Sequence, residues 1–174
     1  MEVSQVLDPR TIVTHLKVAD KKHALSAMAD LFVSAGVIND KDAYIKDVYL
    51  RESTGATGIG NYVAIPHGKS KAVSTPGVAI AVLENEIEWE SLDDTGAKII
   101  ILFAVGADNE AAQEHLRLLA MFSKCLGDDA VIKRLLAADS VDDVIAAFTG
   151  DEKSEETADA ADEDDIDLDE ISIM

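Results

Sequence analysis

Cysteine is nearly absent from this sequence of 174 residues, in which Cys125 is the single example. One cysteine excludes an internal disulfide framework and a zinc site built from several thiolates. Cys125 keeps helical spacing with Leu118 and Phe122, which favours a buried small side chain over a reactive thiol. No two of the four histidines have the i, i+4 spacing of a helical ligand pair, so we expect no metal site.

Positive charge is also scarce. The chain has 15 Lys and Arg against 34 Asp and Glu, a formal net charge of −19. A chain of this charge is repelled by phosphate backbones and by anionic lipid headgroups, so we expect no binding to nucleic acid or to membranes. Protein partners should present a basic or an apolar docking face.

Long apolar segments are missing. The longest uninterrupted apolar run spans residues 99–105, seven residues, whereas a membrane-spanning helix needs about 20. The first residues, Met-Glu-Val-Ser, contain neither the basic region nor the apolar region of an export signal. We therefore expect a cytoplasmic protein without direct membrane insertion.

Acidic residues concentrate near the C-terminus. Residues 151–174 contain twelve Asp and Glu and one lysine. They contain no aromatic residue and almost no aliphatic one before Ile166, so they cannot bury enough apolar surface to offset the entropy of ordering. We predict one folded domain over residues 1–150 and an acidic disordered linker or tail over residues 151–174. The alternating pattern of Ile171-Ser172-Ile173-Met174 is typical of a strand and suggests a following domain.

Helical and strand patterns alternate through residues 1–150. Candidate N-cap residues precede five helical patterns, and three apolar runs rich in Val and Ile predict strands, the last two of them buried on both faces. The predicted helices begin after Asp20, Asp40, Asp108, Asp128 and Ser140, and the predicted strands span residues 62–65, 77–83 and 98–105. This alternation predicts a single-domain α/β sandwich with a mixed β-sheet flanked by helices.

The segment 51–69 is rich in glycine, with four glycines in the fourteen residues 55–68. Nucleotide-binding motifs do not fit it. The glycine order is the reverse of the dinucleotide fingerprint, and Val63 occupies the position where a phosphate-binding loop ending at Lys69 requires glycine.

His67 is the best candidate for a reactive residue. It follows an apolar strand and Pro66 and precedes Gly68, so its ring should emerge at a strand end with little bulk around it. An imidazole is partly neutral at cytoplasmic pH and can act as a nucleophile without a special base. The alternative is a histidine that only packs in a turn.

Two further residues have two interpretations each. His115 shares a predicted helix face with Leu119 and Phe122, where it either packs at the edge of the core or lies against the strand end that carries His67. Arg51 either complements the dipole at a helix end or clamps a phosphate through two hydrogen bonds. The residue pattern leaves both alternatives open.

Several of these residues together resemble a known family. The segments Arg51-Glu52, Gly58-Ile59-Gly60, Ala64-Ile65-Pro66-His67-Gly68 and His115-Leu116 are similar to motifs of the fructose/mannitol-type enzyme IIA domain of the bacterial sugar phosphotransferase system (PTS). The resemblance covers about residues 3–149. It implies a mixed sheet flanked by helices and a shallow apolar docking surface.

The resemblance also implies phosphotransferase activity without a metal, nucleotide or other cofactor. In that family, the histidine of the Pro-His-Gly element accepts a phosphoryl group from the histidine-containing phosphocarrier protein and passes it to a cysteine of a IIB domain. The resemblance implies that His67 is the phosphoryl acceptor of this chain and that His115 and Arg51 assist it. The residues expected to shape the loop near the site are Gly58, Gly60, Asn61 and Gly68.

Other functions remain open alongside sugar uptake. One alternative is a regulatory IIA-like module that is phosphorylated on the same histidine and controls nitrogen, potassium or transcription functions. It would also fit a non-catalytic interaction domain in which His67 is incidental, whereas a hydrolase would need a paired nucleophile that we do not find. The acidic segment 151–174 favours a domain tethered to a downstream IIB acceptor of a membrane transporter, since tethering raises the effective concentration for transfer.

Overall fold

The computed structural model describes residues 3–150, and the predicted acidic linker or tail, residues 151–174, lies outside the described residues. Helices and strands alternate as expected. In chain order the elements are α1 (Val3–Val6), a 3-10 turn (Pro9–Thr11), β1 (Ile12–Leu16), α2 (Lys21–Ser34), α3 (Lys41–Glu52), β2 (Gly58–Gly60), β3 (Val63–Ala64), β4 (His67–Lys69), β5 (Gly77–Ile87), β6 (Ala97–Val105), α4 (Asn109–Leu126), α5 (Asp129–Leu136) and α6 (Val141–Thr149).

The strands form one mixed sheet with the neighbour order β1, β5, β6, β3, β2, and β4 also pairs with β6. Strand β5 runs antiparallel to β6 and parallel to β1. Strands β3 and β4 both run parallel to β6, with Val63 opposite Ile99 and His67 opposite Phe103, so they follow one another along a single edge of β6. The predicted α/β sandwich around a mixed sheet is confirmed.

Helices cover both faces of the sheet because β6 is apolar on both of its sides. Ile100 and Leu102 pack with residues of α2 and α3, such as Phe32, on one face. Ile101 and Phe103 pack with α4, α5 and α6 on the other face. This alternation follows from the period of two along a strand, and it confirms that the run 98–105 is buried on both sides.

The helix starts are also confirmed. Each predicted cap residue accepts a hydrogen bond from a backbone N–H of the first helical turn, an interaction whose loss typically costs about 1 kcal/mol. These caps are Asp20, Asp40, Asp108, Asp128 and Ser140. No helix within residues 3–150 has both the length and the apolar character required to cross a bilayer.

The strand predictions were incomplete. Strands β1, β2 and β4 were not predicted, and β5 continues to Ile87, beyond the predicted end at residue 83. Strands β2 and β4 have three residues each, too few for a visible hydrophobic period, and only their backbone pairing defines them. His67 consequently begins β4 instead of emerging at the end of the predicted strand 62–65, because Ile65 and Pro66 interrupt the edge.

Candidate active site

His67 is fixed by the close packing of its own strand. The next residue, Gly68, is buried between β6 and α3, where a Cβ atom would lie 2.7 Å from Val48 Cγ2 and 2.8 Å from Tyr44 Cε1. The Tyr44 hydroxyl donates to the Phe103 carbonyl oxygen at 2.7 Å. Strand β4 therefore lies against α3 at a distance that only glycine permits, and this contact sets the position of the half-buried His67 ring.

His115 reaches the same point from α4. Its ring centroid lies 4.8 Å from that of His67, with a tilt of 40° between the rings. The Phe103 ring meets His115 edge-on at 5.4 Å. A functional role for His115 requires its helix face to lie against the segment that carries His67. The structure has this arrangement.

A ring nitrogen of each histidine lacks a partner. Nδ1 of His67 and Nδ1 of His115 are buried and have no hydrogen bond to any residue that the structure describes. An unpaired buried polar atom typically costs about 1–3 kcal/mol. Such atoms are uncommon in folded proteins and are typical of sites that have a functional role.

Arg51 lies half-buried in the last turn of α3, near enough for its charge to act on both histidines. Its Nη1 atom donates to Thr54 Oγ1 at 3.1 Å and to the Gly55 carbonyl oxygen at 3.3 Å. The structure therefore brings together the three residues that the sequence analysis selected. Their roles in phosphoryl transfer stay a prediction.

Both imidazoles are held in the neutral form. Burial lowers the pKa of His67, and the Arg51 charge lowers it further, while the Ile65 backbone carbonyl acts in the opposite direction. Burial, with smaller contributions from His67 and Arg51, lowers the pKa of His115 to about 4. Near pH 7 the site therefore combines two uncharged imidazoles with one guanidinium cation, an arrangement that attracts anions and keeps a nitrogen lone pair available.

Of the predicted loop residues other than Gly68, Gly58 and Gly60 lie in β2, and Asn61 lies in the connection from β2 to β3. A Cβ atom at Gly58 would lie 2.5 Å from the Glu90 carbonyl oxygen. Gly60 and Asn61 have positive φ angles of 90° and 56°, and the Asn61 N–H donates to Asp93 Oδ2 at 3.2 Å. The contacts described for these residues reach segment 90–95, and their role in shaping the loop near His67 stays a prediction.

Sequence reasoning missed two features. It gave no role to Phe103, which orients the His115 ring, since an apolar strand residue carries no chemical signal. It also gave no role to Glu52, although this residue belongs to the Arg51-Glu52 motif. One partner, Lys21, belongs to a different helix, and the other, Thr57, lies five residues further along the chain, so no helical spacing points to either.

A family model described as "Phosphoenolpyruvate-dependent sugar phosphotransferase system, EIIA 2" matches residues 5–150. The chain belongs to this family. The resemblance seen in the motifs is thereby confirmed, and phosphoryl transfer follows as the general class of activity of this PTS enzyme IIA domain.

Curated relatives of the domain carry both sugar-specific and regulatory names. The fructose-specific EIIA component of Haloferax volcanii is 37% identical over 131 residues, which cover 74% of this chain and 84% of that protein. A nitrogen regulatory protein of Escherichia coli is 28% identical over 159 residues, which cover 91% of this chain and 96% of that protein. The fructose-specific EIIABC component of Bacillus subtilis is 32% identical over 145 residues, so the match covers 83% of this chain but only 22% of that relative.

Solved structures show the same fold. Nitrogen regulatory protein IIA-Ntr of Neisseria meningitidis superposes with a TM-score of 0.76 at 22% identity, covering 84% of this chain and 98% of that chain. Enzyme IIA for mannitol from Escherichia coli, solved in complex with phosphorylated enzyme IIB, superposes with a TM-score of 0.70 at 24% identity, covering 83% of this chain and 98% of that chain. At these identities the comparison carries the fold alone.

Proposed function

We propose that this domain is a phosphoryl carrier in which His67 accepts a phosphoryl group from the histidine-containing phosphocarrier protein and donates it to a IIB cysteine. The observation that supports the proposal most directly is the pair of neutral, partly buried imidazoles beside Arg51. No metal or nucleotide takes part in these steps.

The two transfers balance in atoms and charge. The lone pair of a His67 ring nitrogen attacks the phosphorus atom, and the N–P bond of the donor breaks, returning its electron pair to the donor imidazole. A thiolate of the IIB partner then attacks the same phosphorus, and the N–P bond to His67 breaks. Such transfers have a loose in-line transition state, so the protein mainly positions the two nucleophiles and stabilises the spread charge.

Arg51 and His115 suit that electrostatic role. The Arg51 guanidinium can donate two parallel hydrogen bonds to phosphoryl oxygens, and its positive charge stabilises the negative charge spread over them. A neutral His115 donates through one ring N–H without adding a second positive charge that would hold the phosphoryl group too firmly.

The surroundings of the site suit a protein partner. Leu50 and Leu116, the neighbours of Arg51 and His115 in the sequence, are 66% and 65% exposed. Exposed leucines next to the site residues favour docking of a macromolecule over capture of a small substrate. The mannitol enzyme IIA solved with phosphorylated IIB supports the choice of a IIB acceptor.

A regulatory role is the second candidate. Nitrogen regulatory proteins match this chain over nearly their full length, and we infer that they would share its histidine chemistry while controlling other processes. Feeding a fructose/mannitol-type transporter remains our first choice because the relative at 37% identity is a fructose-specific EIIA component, although at 32% identity a fructose-specific EIIABC component and a nitrogen regulatory protein match equally well.

Phosphorylation with purified components tests the proposal. The domain is incubated with phosphoenolpyruvate and the general PTS proteins, and then analysed by mass spectrometry under alkaline conditions that preserve phosphohistidine. We expect one phosphoryl group on His67, none in His67→Ala, and unchanged labelling in the control His23→Ala, whose ring is exposed on α2. Label on another histidine, or undiminished label in His67→Ala, contradicts the assignment, and a chain that takes no label is an interaction domain.

Onward transfer separates the two roles. A fructose- or mannitol-type IIB domain should remove the label from a transport component within a catalytic timescale. A regulator would keep its label in the presence of such IIB domains.

A further inference from the structure

Glu52 is a carboxylate inside the protein, next to Arg51 in the last turn of α3. Its side chain is only 6% exposed. A buried carboxylate is stable only when it is paired and its oxygens accept hydrogen bonds, so its partners define its purpose.

The first partner of Glu52 comes from another helix. Lys21, the first residue of α2, places its Nζ atom 2.5 Å from Glu52 Oε1 and 3.0 Å from Glu90 Oε1. The same Nζ lies 4.6 Å from the centroid of the Trp89 ring. Burial alone would lower the pKa of Lys21, but hydrogen bonds to the two carboxylates raise it above its usual value, so the lysine stays charged.

The second partner comes from the chain that follows α3. The Thr57 hydroxyl donates to Glu52 Oε2 at 2.7 Å and accepts from Trp89 Nε1 at 2.9 Å. Both carboxylate oxygens of Glu52 are therefore engaged. The Glu52 side chain thus links the end of α3 directly to the start of α2 and to residue 57. Through Lys21 and Thr57 it is also linked to segment 89–90.

Arg51 lies on the other side of the same turn. Adjacent helical residues project about 100° apart, so the turn that directs Glu52 inward directs Arg51 toward the histidines. Arg51 also donates to Thr54 and Gly55, within the turn that ends at Thr57. The buried carboxylate thus fixes both ends of the segment that orients the guanidinium.

We infer that Glu52 is a positioning residue, which uses its buried contacts with Lys21 and Thr57 to hold Arg51 beside the two histidines. Its effect on phosphoryl transfer rests on the proposed function, whereas its effect on the geometry does not. A helix end without tertiary contacts frays, and the last turn of α3 would release Arg51 to solvent if this anchor were lost.

The test is Glu52→Gln, which keeps the size of the side chain and its hydrogen bond from Thr57 but removes the ion pair with Lys21. The imidazole resonances of His67 and His115 are titrated by NMR in the unphosphorylated protein. We expect the pKa of His67 to rise in Glu52→Gln and in Arg51→Gln by similar amounts, and the double variant to show no further rise. Transfer of the phosphoryl group from His67 to a IIB cysteine should slow about 100-fold, the cost of a small misplacement at a reacting centre.

Two matched variants complete the test. Glu90→Gln removes the exposed partner of Lys21, 74% exposed, and should leave both titrations unchanged. Thr57→Val leaves the ion pair with Lys21 intact, and should shift the pKa of His67 in the same direction by less. If Glu52→Gln does not fold, the titration of Thr57→Val tests the positioning role by itself.

A folded Glu52→Gln or Thr57→Val protein with wild-type histidine titrations overturns the inference, and so do pKa changes that add fully in the double variant. The titrations need no phosphoryl donor. If His67 takes no label but its pKa responds to Glu52 and Arg51 as described, the proposed function fails and the positioning role stands.

Discussion

The imidazole rings of His67 and His115 lie 4.8 Å apart, although the two residues belong to a strand and to a helix that are distant in the sequence. Burial lowers the pKa of both imidazoles, and the neighbouring His67 lowers that of His115 further. Both rings therefore take up a proton only below the usual histidine pKa. At neutral pH this leaves a nucleophile and a hydrogen-bond donor without charge repulsion between them.

The first prediction concerns the residues beside His67. His115→Ala and Arg51→Ala should keep the fold and still accept the phosphoryl group, but should pass it to a IIB cysteine about 100-fold to 1000-fold more slowly. A lost donor to developing charge typically costs about 2.7–4 kcal/mol of the barrier. Rapid-quench measurement of labelled protein gives the rates, with His23→Ala as the control. Wild-type rates in both variants would mean that these side chains only support the structure.

The second prediction concerns the loss of stability at acidic pH. His115 has a folded pKa of about 4, below its usual value of 6.5. Between these values the unfolded chain binds more protons than the folded one, so this group contributes stability above pH 6.5 that is lost as the pH falls toward 4. The melting temperature should decline on acidification, and His115→Gln should decline less. An identical acid dependence in both proteins would contradict this.

The third prediction concerns a histidine outside the site. The exposed ring of His15 has Nδ1 2.8 Å from Glu84 Oε2 and Nε2 3.2 Å from Asp139 Oδ1. The hydrogen bond to Glu84 raises the pKa of His15, and Asp139 adds to the effect. The stabilisation is complete below pH 6.5 and is lost as the pH rises through the raised pKa, the opposite sense to His115. NMR titration should show His15 titrating above the ordinary histidine value of 6.5, and Glu84→Gln should remove most of the rise. The same His15 pKa in the wild type and in Glu84→Gln would refute the pairing.

The fourth prediction concerns the packing beneath His67. Gly68→Ala would place a methyl group within 2.8 Å of Val48 and Tyr44, so strand β4 must shift. Overpacking of this kind typically destabilises by about 1–3 kcal/mol, and the shift should separate the histidine rings and slow phosphoryl acceptance. Denaturant unfolding measures the first effect. Gly127→Ala is the control, because a Cβ atom there would meet its nearest neighbours at 3.5 Å, an ordinary contact distance.

Local signals explain which parts of the structure were predictable. The cap residues act on the first turn of their own helices, and the apolar composition of residues 98–105 indicates burial on both faces. Both features could therefore be predicted from residues adjacent in the sequence. The short strands β2 and β4 exist only through pairing with distant residues. The contact between His67 and His115 was an open alternative in the residue pattern and followed only from the family resemblance. The Glu52 and Lys21 pair connects two helix ends, and no local rule reports such a contact.

The last prediction concerns residues 151–174. A chain segment with twelve acidic residues, one lysine and few apolar side chains has little to gain from packing on the domain. Removing it should leave the melting temperature nearly unchanged and should leave phosphoryl acceptance by His67 intact, since the exposed leucines beside the site belong to residues 3–150. Any small effect should shrink with added salt, because long-range charge is the remaining coupling. Calorimetry and the labelling assay on the truncated and full chains measure both quantities. A fall of several degrees would show that the segment packs on the domain, and a large salt-resistant loss of acceptance would place it in the docking surface.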